Sequence, residues 1–452
     1  MSSRTTLFIL IGLIATHIVL ALSYASATPW RQGGLIRINR SVERDIGAPD
    51  ERQHANYIFR LANGEGFPVF NPSDPNLYES YQSHQPPAYY VLAAGWSKLT
   101  LASNVEAKET GFKLRFLNAL IGAATVAGAF FLAFWGFKRE DAALAAAAFA
   151  GLLPMFVALS GAVSNDPLLI ALCTWVLALC ARGIRRGWTW KMVIGVGALT
   201  GFALMTKTTA LALLPALLVA ALVPQEKKPT LAMAAALLGV AVVIAAPWWM
   251  RNQSLYGDPL AMKAFTDAFK GSAQKQAIVG DISLSGDGSP ELTYWKDWVG
   301  WWTARSFFGV FGYMDIWMNQ SGAAISSRDP NVLYRLLLVA FLLCSLGWVL
   351  ATSRPEWKED WPVQVLNGVF LAVIVLLFVR FNLQYFQAQA RYLLPAIGPI
   401  ACGVGIGAAF LFRKRSSAAW LAIAVVLMAT NLYALSNLSA EFDKRIESGR
   451  KG

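Results

Sequence analysis

The chain of 452 residues is 56% hydrophobic and 15% charged, with a mean hydropathy of +0.45. That composition excludes an ordinary soluble domain and predicts an all-α polytopic membrane protein. The net charge of +12 sits in short clusters between apolar runs, as membrane orientation requires, so nucleic acid is not an expected partner.

The first apolar run, 6–26, ends at Ala25-Ser26-Ala27, which resembles a signal-peptidase site. Retained or cleaved, it delivers the next segment to the outer face. That segment, 27–111, is polar and carries Ala48-Pro49-Asp50-Glu51-Arg52-Gln53-His54. Within it, 86–101 is short, aromatic and interrupted by Lys98, so it is expected to lie on the outer leaflet as an interfacial helix. Further spans are expected at 114–137, 142–162, 167–183, 190–206, 208–223 and 230–250. A second large outer loop, 251–331, precedes spans at 332–351, 363–380, 391–412 and 418–436. The total is about eleven, in a single integral membrane domain covering 1–452. With the N-terminus inside, the basic clusters at Lys138-Arg139, Arg182 to Lys191, Lys227-Lys228, Arg354 with Lys358, and Arg413 to Arg415 all become cytoplasmic. Cys173, Cys180, Cys344 and Cys402 lie inside apolar runs and read as packing residues, not as metal ligands or disulfides.

This topology gathers the unusual polar residues on the outer face. Asp50, Glu51, His54, His84 and Gln85 come from the first loop. Asn165 and Asp166 lie in a turn between two spans, and Lys207 interrupts an apolar stretch. Arg251, Tyr256 and Asp258 follow a span, Arg305 sits beside Trp301-Trp302, and Gln387, Gln389 and Arg391 open another helix. Ionisable residues at membrane depth are costly and usually serve function or pairing. Simpler roles fit the same residues: Asp50 or Asp166 as helix caps, Lys207 as a snorkelling lysine, Arg251 and Arg391 as interfacial anchors, and the tryptophans as an aromatic belt. His17 in the first helix reads as a packed histidine. Taken together, a carboxylate suits proton removal from an acceptor hydroxyl, and Arg and Lys suit a departing phosphate. No Walker-type loop or dinucleotide fingerprint is present.

Pro49-Asp50-Glu51-x-x-His54 followed by His84-Gln85-Pro86-Pro87-x-Tyr89-Tyr90 resembles the GT-C membrane glycosyltransferases, particularly protein-mannosyltransferase-like and aminoarabinose-transferase-like enzymes. Ser164-Asn165-Asp166, Pro247-Trp248-Trp249-x-Arg251-Asn252, Phe307-Phe308-Gly309-x-Phe311-Gly312 and Gln389-Ala390-Arg391-Tyr392 are similar to later motifs of that group. The resemblance implies a GT-C fold and an inverting transfer from a polyprenyl-phosphate-linked sugar. It implies Asp50 as general base, with Glu51 the alternative, and Asp166 as a second acid. It further implies Arg391 as a phosphate contact and His84 as a loop residue near the donor. Ala390 replaces an expected glycine, and only a short tail follows the last span, so no soluble outer domain is expected.

The sequence therefore predicts a glycosyltransferase of the cytoplasmic (inner) membrane. Asp50, Glu51 and Asp166 are the candidate catalytic residues. His54, His84, Gln85, Asn165, Lys207, Arg251, Tyr256, Asp258, Arg305, Gln389 and Arg391 are the candidate substrate contacts. No cofactor is certain; a divalent metal such as Mg or Mn would fall on Asp50 and Asp166. Expected partners are the lipid-linked donor, a lipid, glycan or protein acceptor, and membrane lipids. The rival functions are a flippase or transporter of lipid-linked sugars, and a glycan polymerase or ligase using a diphosphate-linked donor.

Overall fold

The computed structural model describes residues 3–36, 41–223, 227–272, 274–285, 288–318 and 331–451. Helix α1 (Ser3–Ala27) leads into a polar loop built from the hairpin β1 (Gly34–Ile36) and β2 (Ser41–Glu43), then α2 (Glu51–Ala62) and α3 (Ala88–Leu99). The body continues as α4 (Lys108–Phe137), α5 (Glu140–Leu152), α6 (Pro154–Ser160), α7 (Asp166–Arg186), α8 (Trp190–Leu204), α9 (Leu213–Leu222) and α10 (Leu231–Tyr256). A second polar segment contains α11 (Trp301–Phe308) and the two-residue strands β3 (Val310–Phe311) and β4 (Ile316–Trp317). Helices α12 (Asn331–Thr352), α13 (Trp361–Gln384), α14 (Ile397–Phe412) and α15 (Ala419–Lys451) complete the chain.

Each apolar run expected to span is helical. Among the described residues, eight helices are long and apolar enough to cross a membrane, or nine when the bent pair α5 and α6 counts as one. The shorter apolar helices, α8 and the one over 208–222, account for the remaining expected spans. The bend of 60° falls at Leu153-Pro154, where proline lacks a donor and forces the preceding residue out of helical geometry. Helix α3 has 12 residues, so at ~1.5 Å per residue it is too short for the ~30 Å bilayer core. It buries Tyr89, Tyr90, Ala93 and Ala94 while exposing Val91, Leu92 and Leu99, as an interfacial helix should.

The interior is made by α4, α5, α7 and α14, whose alanines and glycines permit close helix approach. A Cβ on Gly405 or Gly407 would collide with the backbone carbonyl of Ala142 or Cys344. His17 donates from Nδ1 to the Gly151 carbonyl (2.7 Å) and stacks on Phe156, fixing α1 to the bent pair. At one end of the bundle, Arg185 bonds the carbonyls of Gly136 and Glu359 and pairs with Asp360. The opposite end carries the first polar loop. There α15 continues well past its expected span, and buried Arg445 reaches Asp315 (2.6 Å) and Glu441 (3.2 Å).

Candidate functional site

Asp50 stands at the start of α2 with a left-handed backbone (φ 65°). Its side chain makes no capping bond. Oδ1 instead accepts from the Tyr81 hydroxyl (2.5 Å), and Oδ2 accepts from Arg391 Nη2 (2.7 Å). Left-handed geometry costs a non-glycine residue roughly 1 kcal/mol, and here it aims the carboxylate away from the helix it precedes. Burial pushes the carboxyl up, but the Arg391 charge, His54 and the two hydrogen bonds outweigh it and hold the group at about 2.

A second acid–base pair lies beside the first. Asp166 opens α7 behind Asn165, so Asn165 and not Asp166 occupies the cap position, and its side chain makes no capping bond either. Asp166 Oδ1 accepts from Lys207 Nζ (2.5 Å). Lys207 has an extended backbone between α8 and a 3₁₀ turn at Thr208–Ala212, and this break turns the ammonium inward instead of toward the surface. Tyr392 joins the pairs: the Lys207 ammonium is 5.8 Å and the Arg391 guanidinium 5.2 Å from its ring centre.

Around the pairs runs a polar relay. His84 Nδ1 faces the Tyr81 carbonyl (2.7 Å), which only accepts, so Nδ1 carries the proton. His84 Nε2 then accepts from Gln85 Nε2 (3.0 Å), and Asn165 Nδ2 donates to Gln85 Oε1 (3.4 Å) and the Thr206 carbonyl (3.2 Å). His54, one turn into α2, bonds the Tyr90 hydroxyl through Nδ1 (2.8 Å). Burial lowers both imidazoles to about 4 and keeps them neutral at pH 7.

The structure thus gathers Asp50, His54, His84, Gln85, Asn165, Asp166, Lys207 and Arg391. Glu51 points elsewhere: both its oxygens bind Arg115 (2.8 and 2.6 Å), and Oε1 also accepts from the Val163 amide (2.8 Å). Arg251 and Tyr256 belong to the last turns of α10, which runs beyond its expected end. Arg251 donates to the Pro68 carbonyl (2.7 Å) and Tyr256 accepts from the Phe70 amide (2.9 Å), so both hold the first loop against α10. Asp258 caps its own turn through the amides of Leu260 and Lys263. Gln389 pairs with Gln387, and with Arg391 it precedes the regular helix α14 instead of opening it. Arg305 lies among tryptophans and forms an ion pair with neither Asp50 nor Asp166. Sequence reasoning missed Tyr81, Tyr392 and Arg115. Tyr392 directly follows Arg391 in the Gln389-Ala390-Arg391-Tyr392 motif, whereas nothing local marks Tyr81 or Arg115.

The two acids expected to hold a divalent metal are each paired with a cation, Asp50 with Arg391 and Asp166 with Lys207. Among the described residues, no group of three or more His, Cys, Asp or Glu side chains is placed to hold one. A neighbour in the GT-C class, the Archaeoglobus fulgidus oligosaccharyltransferase, has been solved with Zn and sulfate.

Residues 84–250 match the family described as dolichyl-phosphate-mannose-protein mannosyltransferase. The archaeal oligosaccharyltransferase tethered to an acceptor peptide superposes with TM-score 0.57 at 15% identity, covering 95% of this chain and 55% of that one. ArnT from Cupriavidus metallidurans bound to undecaprenyl phosphate superposes with TM-score 0.50 at 14% identity, covering 95% of this chain and 77% of that one. The chain has the GT-C fold. It spans about half the length of the archaeal enzyme. No curated protein sequence is matched. The GT-C body is that of a multi-pass membrane protein, as the composition predicts. The resemblance seen in the motifs around Asp50, Asp166 and Arg391 led to the same fold.

Proposed function

We propose that the protein is an inverting glycosyltransferase that moves a sugar from a polyprenyl-phosphate donor to an acceptor hydroxyl at the outer face of the cytoplasmic membrane. The observation that carries this reading is the convergence of two acid–cation pairs, Asp50 with Arg391 and Asp166 with Lys207, on one tyrosine beside the first loop. The matched mannosyltransferase family and the polyprenyl phosphates held by ArnT and by the archaeal enzyme's dolichol-phosphate complex support a lipid-phosphate donor.

In the resting site, Arg391 masks Asp50, and a carboxylate held near 2 is a weak base. An incoming phosphate competes for Arg391. Once Arg391 turns to it, Asp50 loses a cation and gains an anionic neighbour, both of which raise its basicity. Asp50 then takes the acceptor's proton as the acceptor oxygen bonds the anomeric carbon. The bond from that carbon to the phosphate oxygen breaks, and the charge left on the lipid phosphate is met by Arg391 and Lys207. Asp166 keeps Lys207 in place.

The test is release of free polyprenyl phosphate from labelled donors by purified protein in bilayers. Release by wild type and not by Asp50→Asn supports the reading. Release that survives Asp50→Asn removes Asp50 as base. The two cations around Tyr392 also suit a diphosphate-linked donor, and turnover restricted to such donors would move the protein to the polymerase and ligase class. Binding without release from any donor would point to a flippase.

A further inference from the structure

Arg305 has no acidic partner among the described residues, and its Nε is buried without a hydrogen bond. Its guanidinium lies 5.5, 5.1 and 4.0 Å from the ring centres of Trp301, Trp302 and Trp317. Two of these rings are fixed by helical spacing, four and three residues earlier on the same face of α11. Aromatic faces attract a cation but leave its N–H donors unmet. Burial accordingly pushes Arg305 down to about 10, with Tyr334 the one group that counters it. Arg391, by contrast, is held by Asp50.

A second arginine completes the feature. Arg335, exposed on α12, lies 6.0 Å from the Trp301 ring centre and likewise has no acidic partner among the described residues. Below it on α12, Leu336, Val339 and Leu343 form an exposed apolar stripe along a helix long enough to cross a bilayer. Arginines without an acidic partner among the described residues, set above such a stripe beside tryptophans, match an anionic headgroup over a hydrocarbon tail better than a soluble anion.

We propose that Arg305 and Arg335, both beside Trp301, form a second site for the phosphate of a membrane lipid, distinct from Arg391 and Lys207, with the lipid chain lying along α12. The arginine fork suits phosphate oxygens, and the tryptophans shield Arg305 while Arg335 stays open to an arriving headgroup. The site requires no glycosyl transfer, so it stands or falls independently of the proposed reaction.

The test is native mass spectrometry of the purified full chain with polyprenyl phosphate, phosphatidylglycerol or uncharged polyprenol as probe. Wild type should retain one more phosphate lipid than the double variant Arg305→Gln, Arg335→Gln, with retention falling about tenfold or more. Polyprenol retention should not change. Preference for polyprenyl phosphate assigns the site to the lipid carrier, and equal or better retention of phosphatidylglycerol assigns it to bulk anionic lipid; both support a phosphate-lipid site. Arg335→Gln alone, on an exposed helix face, keeps the test valid if the double variant does not fold, and should lose retention severalfold. Wild-type stoichiometry and retention in both variants would overturn the site. Loss of the lipid at Arg391 alone, with this one kept, would instead count against the proposed reaction.

Discussion

Asp50 and Glu51 are neighbours in sequence, and each pairs with an arginine, yet they sit in opposite kinds of site. Glu51 is the first residue of α2, with its side chain 6% exposed against an Arg115 that is 3% exposed. Arg115 also donates to the carbonyls of Ala25, Thr28 and Pro29 and lies 5.3 Å from the Trp30 ring centre. Every donor of that arrangement is committed, and the pair locks the end of α1 to α2, α4 and the turn at Val163. Asp50 is one residue earlier, outside the helix and 21% exposed, held by one Arg391 nitrogen and the Tyr81 hydroxyl, while Arg391 Nε has no hydrogen-bond partner. The first pair is a post. The second has room and spare valence for exchange with a ligand. A buried ion pair is not itself a sign of chemistry; what distinguishes a reactive one is incomplete commitment at a surface a substrate can reach.

The largest expected effect separates the two acids. Asp50→Asn should cut single-turnover glycosyl transfer by about two to four decades, the usual contribution of a general base. It should also bind polyprenyl phosphate more tightly than wild type, because Arg391 is released, and calorimetric titration reads that gain. Weaker binding would mean that Asp50 orients Arg391 for the phosphate instead of competing with it.

Glu51→Gln should do the reverse. Breaking a buried pair from one side costs about 3–5 kcal/mol. Thermal unfolding should therefore move sharply down, while transfer per folded molecule stays near wild type. A folded Glu51→Gln protein without turnover would exchange the roles of the two carboxylates.

Lys207→Ala should reduce kcat/KM by about tenfold or more through lost phosphate neutralisation, and Lys207→Arg should recover part of it. Equal turnover of wild type and Lys207→Ala would leave Arg391 as the sole phosphate contact.

The smallest effect is on acid stability. His54 and His84 are held at about 4, below their usual 6.5, so the unfolded chain binds more protons between these values. Stability should be flat above pH 6.5 and fall as pH drops toward 4. The low value of Asp50 adds stability that is present above its ordinary carboxylate range and lost as pH falls toward 2. Melting temperatures across pH 3–8 read both. A His84→Asn variant should show a shallower slope between 6.5 and 4, and an unchanged slope would place the titration elsewhere.

The sequence by itself determined the membrane body. Apolar runs must become helices in hydrocarbon because no water is there to satisfy an open backbone, so hydropathy alone marks each span. The short run at 86–101 likewise announced an interfacial helix, whereas the bend at Pro154 inside the run expected over 142–162 came only with the structure. The motifs around Asp50, Asp166 and Arg391 also pointed to the residues that meet. Tertiary structure alone decided the pairing. Nothing local separates Asp50 from Glu51, and which arginine each receives depends on contacts 341 and 64 residues away along the chain. Two capping readings failed for different reasons: Asp50 holds the cap position, but a cation brought close by the fold offers its carboxylate a stronger, charge-assisted bond, whereas at Asp166 the cap position falls to Asn165. Tyr81 escaped notice because a tyrosine in an aromatic loop carries no pattern of its own, and only the packed loop sets its hydroxyl on the carboxylate of Asp50.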